Sequence, residues 1–197
     1  MHGVVGLDLS LKRTGMCYVP PNWEGDAASL RLESVETTRD KPAYGKPHIL
    51  ARIDTERYLK IADKVVRFVK EGGTRDVAQE NYAYSPVQDK DGKPVQSSSV
   101  TKLAELGGTI KTQLLLACQA AVIPIAANTA RAWLTGGLKR GKPKEQVDRF
   151  LQSRGLRFEN WDEMDAFVVA YYWYGQVNNV RSRFLPQAEL DFGLGPG

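Results

Sequence analysis

The sequence predicts a mixed α/β domain: a five-stranded mixed sheet flanked by helices. Three observations lead there. Short apolar runs bounded by turn residues open the chain, up to Val35. Two long segments with helical spacing of apolar residues follow, each leading into another short apolar run. No internal repeat and no long linker divides the 197 residues, a length that suits one medium-sized domain. The expected organisation is a single domain over residues 1–185 and a flexible tail over 186–197.

Each element has its own signal. Val4-Val5-Gly6-Leu7-Asp8-Leu9 is a strand carrying one carboxylate. Ser10 to Gly15 reads as a turn and Met16 to Val19 as a second strand, so the two form a hairpin. Pro20, Pro21, Asn22 and Gly25 interrupt the chain, and Pro20 to Ala28 has the look of an insertion. Leu30 to Val35 is a third strand. Ile49, Ile53, Ile61, Val65, Val66 and Val69 mark a helix over Pro47 to Lys70, ended by Gly72-Gly73. Val77 to Glu80 is a short strand that again ends in a carboxylate. Ser85 to Ser99 is polar and reads as a mobile loop. Val100 to Ala121 is a second long helix; its Gly107-Gly108 pair costs about 1 kcal/mol per glycine, which close packing against another backbone would explain. Val122 to Ala126 is a fifth strand, placed at a sheet edge by Pro124. Asn128-Thr129 looks like the cap of a short helix. Lys144 to Arg154 and Asp162 to Tyr174 are the last helices.

Composition narrows the class. The chain is 42% hydrophobic and 25% charged, ordinary for a globular protein with a real core. No apolar run approaches the roughly 20 residues of a membrane helix, and MHGVVGLDLS has no secretion-signal pattern. The expected location is the cytoplasm, with no membrane partner. Cys17 and Cys118 form neither a disulfide framework nor a zinc site and read as buried apolar residues. The net charge of +4 is unevenly spread. Lys139, Arg140, Lys142, Lys144, Arg149, Arg154 and Arg157 stand against only Glu145 and Asp148. Such a cluster is either a solvated face or a phosphate-binding surface.

Four acids are candidates for chemistry: Asp8, Glu80, Asp162 and Asp165. Taken singly, each has an ordinary explanation. Asp8 can start a turn, Glu80 can end a strand at the surface, and Asp162 suits the first turn of a helix. Glu163, three residues after Asn160, fits a capping role and is left out. Together the acids say more. Two like charges about 4 Å apart repel by roughly 4 kcal/mol at an effective dielectric near 20. A converging set must therefore hold protons or bind cations. Oxygen-only ligands favour Mg²⁺ or Mn²⁺ over zinc.

The order of these motifs resembles RuvC-type Holliday junction resolvases of the RNase H-like superfamily. Val5 to Gly15 is similar to that family's opening strand and turn, with the first catalytic Asp and a Thr-Gly pair. Val77 to Glu80 resembles its second acidic strand, and Asp162-Glu163-Met164-Asp165-Ala166 its final acidic helix start. Lys102 to Gly108 resembles its long helix, and Lys144 to Val147 its basic segment. The likeness spans about residues 3–175 and implies an RNase H-like fold. It implies a homodimeric endonuclease that resolves four-way DNA junctions by paired symmetric nicks. It also implies two Mg²⁺ ions per site, with Mn²⁺ able to substitute, held by Asp8, Glu80, Asp162 and Asp165. Lys144 would stabilise phosphate charge. DNA contacts would come from Lys12, Arg13, Tyr82, Tyr84, Lys102, Arg131, Lys139, Arg140, Lys142 and Lys144, with Arg131 standing where the family has a second lysine. The departures suggest a bacteriophage-type or otherwise divergent member, acting in the host cytoplasm if phage-encoded. Three other readings stay open: a broader nuclease of branched DNA and forks, a protein that holds junctions without cutting, and the actin-like ATPase branch, for which the chain is short.

Overall fold

The computed structural model describes residues 1–38, 47–81, 87–88, 94–95, 98–137, 141–182 and 184. Five strands form one sheet: β1 (Val4–Asp8), β2 (Arg13–Val19), β3 (Arg31–Glu36), β4 (Asp76–Asn81) and β7 (Ala121–Ala126), in the order β3-β2-β1-β4-β7. β2 is antiparallel to β1 and β3, while β4 and β7 continue parallel to β1. The proline-bearing β7 lies at the edge, where a missing N–H costs least. Two-residue strands β5 (Val87–Gln88) and β6 (Pro94–Val95) pair within the segment expected to be a loop. The expected tail lies outside the described residues.

Helices cover both faces of the sheet. α1 (Pro47–Gly72) and α2 (Ser98–Cys118) pack on one face over Val5, Leu7, Met16 and Val77. α3 (Ala127–Thr135), α4 (Pro143–Ser153) and α5 (Trp161–Asn178) cover the other, over Val4, Cys17, Val19 and Ala78. Strand side chains alternate between faces. Val5 and Leu7 therefore look toward α1 and α2, and Val4, Gly6 and Asp8 toward α5.

The centre of the second face is α5. Its residues from Glu163 to Tyr171 are all buried, so the helix is apolar nearly all round rather than along one stripe. It sits directly on the backbone of β1 and β2. A Cβ on Gly6 would overlap the Ala166 carbonyl oxygen and lie 2.6 Å from Ala170 Cβ. A Cβ on Gly15 would overlap the Asp162 carbonyl and lie 2.9 Å from the Glu163 nitrogen. Glycine at these two positions is what lets the helix reach the sheet.

Several local expectations are corrected. Pro20 to Ala28 contains a core anchor: Trp23 is 2% exposed and meets Phe167, Tyr171 and Phe184 edge-on at 5.6, 5.1 and 6.1 Å. Its indole nitrogen donates to the Asp26 carbonyl at 2.8 Å. Trp23→Ala is expected to destabilise by about 3–5 kcal/mol, measurable by urea unfolding. A loss below about 1 kcal/mol would show the segment to be peripheral after all. Asn128 does not cap α3; the helix starts at Ala127 after Ala126, without a side-chain cap. Gly107 and Gly108 do not meet another backbone: Gly107 faces the Gln79 amide at 3.7 Å, and nothing lies within 4 Å of Gly108. Cys17 is buried and Cys118 half-buried, both as free thiols. Among the described residues no helix is long and apolar enough to cross a membrane.

Candidate active site at the carboxyl ends of the parallel strands

The parallel register of β1 and β4 pairs Val5 with Val77, Gly6 with Ala78 and Leu7 with Gln79. One residue further along that register, Asp8 stands beside Glu80, both toward the α5 face. The close seating of Ala166 on Gly6 then brings its neighbour Asp165 down onto the same spot. One carboxylate oxygen from each of Asp8, Glu80 and Asp165 lies within 4.8 Å of the others. Asp8 is 7% exposed and Asp165 is 1% exposed.

The turn after Asp8 is built from local hydrogen bonds. Ser10 Oγ accepts from the backbone nitrogens of Lys12 and Arg13 at 3.2 and 3.4 Å. The buried Thr14 hydroxyl donates to the Ser10 carbonyl at 3.0 Å. This is the short-range chemistry expected of a Ser/Thr turn. At the other wall, Asn160 caps α5 by accepting from the Glu163 nitrogen at 2.9 Å. That is the Asn160 half of the capping role expected there. The Glu163 side chain is buried.

Among the described residues, two cations pair with the acids of the triad. Arg131, buried on α3, donates through Nη2 to Asp165 Oδ1 at 2.8 Å and stands 3.6 Å from Glu80 Oε2. Lys144, in the first turn of α4, pairs with Asp165 Oδ2. Burial, with the neighbouring Glu80 and Asp165 charges, pushes the Asp8 carboxyl up to about 8 against the opposing pull of Lys144. Glu80 is raised by burial and then by Asp165, with Arg131 and Lys144 opposing. Burial works against the Lys144 ammonium, but its hydrogen bond and charge contact with Asp165, with Asp8 and Glu80 behind it, raise it overall. A buried, crowded set of carboxylate oxygens, in which burial and mutual repulsion raise Asp8 and Glu80, is a fit receptor for a hard divalent cation.

Asp162, the fourth expected member, stands apart from this triad. It is half-buried at the start of α5 and lines a cleft of about 750 Å³ with Leu11, Lys12, Arg13, Glu36, Thr37, Thr38 and Arg57. Its carboxyl is raised mainly by burial, against the pull of Lys144 and Arg13. Within the cleft Arg13 pairs with Glu36, and Arg57 donates to the Thr37 hydroxyl at 2.6 Å. Sequence reasoning did not single out Arg57. It lies in an amphipathic helix rich in charged residues, and nothing in its spacing separates it from a solvated face.

The other expected DNA-contacting residues that are described stand in different settings. Lys12 is exposed at the β1–β2 turn. Lys142 is open to solvent and pairs with Glu145 at 2.7 Å. Lys102 donates to Asp54 at 2.6 Å and so ties α2 to α1. Arg131 lies inside the acid cluster, with its side chain 7% exposed. Tyr82, Tyr84, Lys139 and Arg140 lie outside the described residues.

Sheet order, strand directions and the acids at adjacent strand ends define an RNase H-like fold. Among solved structures, the chain is similar to RuvC of Thermus thermophilus in complex with a Holliday junction substrate. The identity is 19%, with a TM-score of 0.63 over 92% of this chain and 99% of that one. It is equally similar to the Thermus thermophilus RuvC structure, at 18% identity and TM-score 0.63, covering 91% of this chain and 98% of that one. No family model matches the chain, and no curated protein matches it.

Proposed function

We propose that this chain is a metal-dependent endodeoxyribonuclease that cuts branched DNA, four-way junctions foremost. The observation that carries the reading is the convergence of Asp8, Glu80 and Asp165 in a fold shared with a junction-bound RuvC. These carboxylates would hold Mg²⁺, or Mn²⁺ in its place. A bound divalent ion supplies a water of lowered pKa and neutralises charge on the phosphodiester under attack. The chain's own residues do the rest. Lys144, its side chain 38% exposed, has the reach to leave Asp165 for a phosphate oxygen. Asp162, Lys12, Arg13 and Arg57 form the cleft beside the triad, where the cations offset the repulsion between acids and a DNA backbone. A homodimer would present two such sites related by a two-fold axis, which suits the pseudo-symmetry of a junction and paired nicks. Two ions per site follow from the resemblance, and the number this chain holds turns on Arg131.

The test is cleavage of end-labelled four-way, three-way and flap DNA with Mg²⁺. Preference for the four-way junction, cut at symmetric positions, is the expected result. Equal cutting of all branches would favour a general branched-DNA nuclease. Binding without any cutting would leave a junction-holding protein, a reading that the acid triad disfavours because acids repel phosphates.

Mn²⁺ affinity is expected to rise with pH between about 6 and 8, by up to about tenfold per unit, as Asp8 gives up its proton to make way for the ion. Calorimetric titrations across that range measure it. A flat profile would remove Asp8 from the ligand set.

A further inference from the structure

Arg131 differs from every other basic residue of the site in where it stands. Its side chain is 7% exposed, between the acid of β4 and the most buried acid of α5. Nη2 binds Asp165 Oδ1 at 2.8 Å and faces Glu80 Oε2 at 3.6 Å, while Nε is buried without a hydrogen-bond partner. The other Asp165 oxygen is taken by Lys144. Both oxygens of Asp165 are therefore engaged by cations.

The two cations are not equally free. Lys144 sits on a flexible stem with its side chain 38% exposed, and it can move into solvent when a stronger cation arrives. Arg131 has no such exit, and a guanidinium does not give up its proton. Three carboxylates, one guanidinium and one divalent ion balance in charge. A second divalent ion would leave an excess of two positive charges in a buried site, which is costly. Asp162 lies outside the close triad, and its single charge, felt at Asp8 and Asp165, would offset at most half of that excess.

We infer that Arg131 is a resident cation in the place of a second metal ion, so that the site holds a single divalent ion, which displaces Lys144 from Asp165. The inference rests on the metal-dependent reading above and revises its ion count.

Mn²⁺ binding to the full chain, followed by electron paramagnetic resonance and calorimetry up to millimolar free ion, tests it without reference to activity. Wild type is expected to bind one ion per chain. Arg131→Gln is expected to bind two, Arg131→Lys one, and Lys144→Ala one with about tenfold tighter affinity. Two ions in wild type overturn the inference and leave the metal-dependent reading intact. So does an Arg131→Gln protein that keeps one ion at unchanged affinity. No ion in any of the four proteins overturns the metal-dependent reading and this inference with it. Circular dichroism checks that each variant is folded; should Arg131→Gln not fold, the wild-type count and the Lys144→Ala affinity still decide.

Discussion

Asp8→Asn is expected to abolish strand cleavage while raising the thermal stability of the metal-free protein. The two effects have one cause. Asp8 sits at 7% exposure beside Glu80 and Asp165, a position useful only when a cation is present. Losing one carboxylate ligand is expected to cut the rate by at least ~10²-fold. Without a metal the same carboxylate is a burden. Its pKa is about 8 in the folded chain against an ordinary 3.8. The folded state therefore takes up a proton that the unfolded chain has released. Stability from this group is complete below pH ~3.8 and is lost as the pH climbs through about 8. An asparagine does not titrate, so the variant escapes that loss. The gap in melting temperature is expected to be widest near pH 9 in chelator and narrowest near pH 4. Scanning calorimetry at both pH values, beside a labelled-junction assay, checks the pair of effects. A variant that cuts like wild type, or melts lower than wild type at pH 9, would show that Asp8 does not belong to a cation site.

Gly6→Ala is expected to cost at least about 3 kcal/mol of stability. The added methyl would meet the Ala166 carbonyl and Ala170, both on α5, and a helix backbone cannot turn aside as a side chain can. The helix must lift from β1, and it carries Asp165 with it. For a chain of this length each kcal/mol lowers the melting temperature by roughly 2–4 °C, so a drop of roughly 6–12 °C is expected, together with weaker Mn²⁺ binding. Gly15→Ala acts on the first turn of the same helix through Asp162 and Glu163. Gly108→Ala is the control. Nothing lies within 4 Å of its Cβ position, so the substitution is expected to be neutral or to stabilise α2 by up to about 1 kcal/mol. Equal melting temperatures for Gly6→Ala and wild type would mean that α5 does not rest on the sheet as described.

The elements were legible because they obey local periodicity. Val5 and Leu7 alternate with Gly6 and Asp8, and that alternation alone puts a carboxylate and a glycine on one face of a strand. The same reasoning put Glu80 at the end of β4 and placed Asp162 and Asp165 together on one helix. It failed where the signal was not periodic. Trp23 sits among prolines and glycines and reads as part of an insertion, yet it docks under Phe167 and Tyr171. Asn128 has the chemistry of a cap but lies one residue inside α3.

The sequence by itself determined the strands and helices of the main sheet and the faces on which the acids lie. Those properties depend on neighbours a few residues apart. The sequence pointed to Gly107 and Gly108 for a close approach that Gly6 and Gly15 make instead. Only the tertiary structure decided which acids meet. Asp162 and Asp165 share a helix face, yet the seating of α5 on Gly6 buries Asp165 and leaves Asp162 at the lip of a cleft. The placement of Arg131 was decided the same way. Its sequence context suits a basic surface residue, and its placement between Glu80 and Asp165 arises from three elements packed together. Which charges share a buried site depends on strand register and helix docking across the sheet, and no local spacing carries that information.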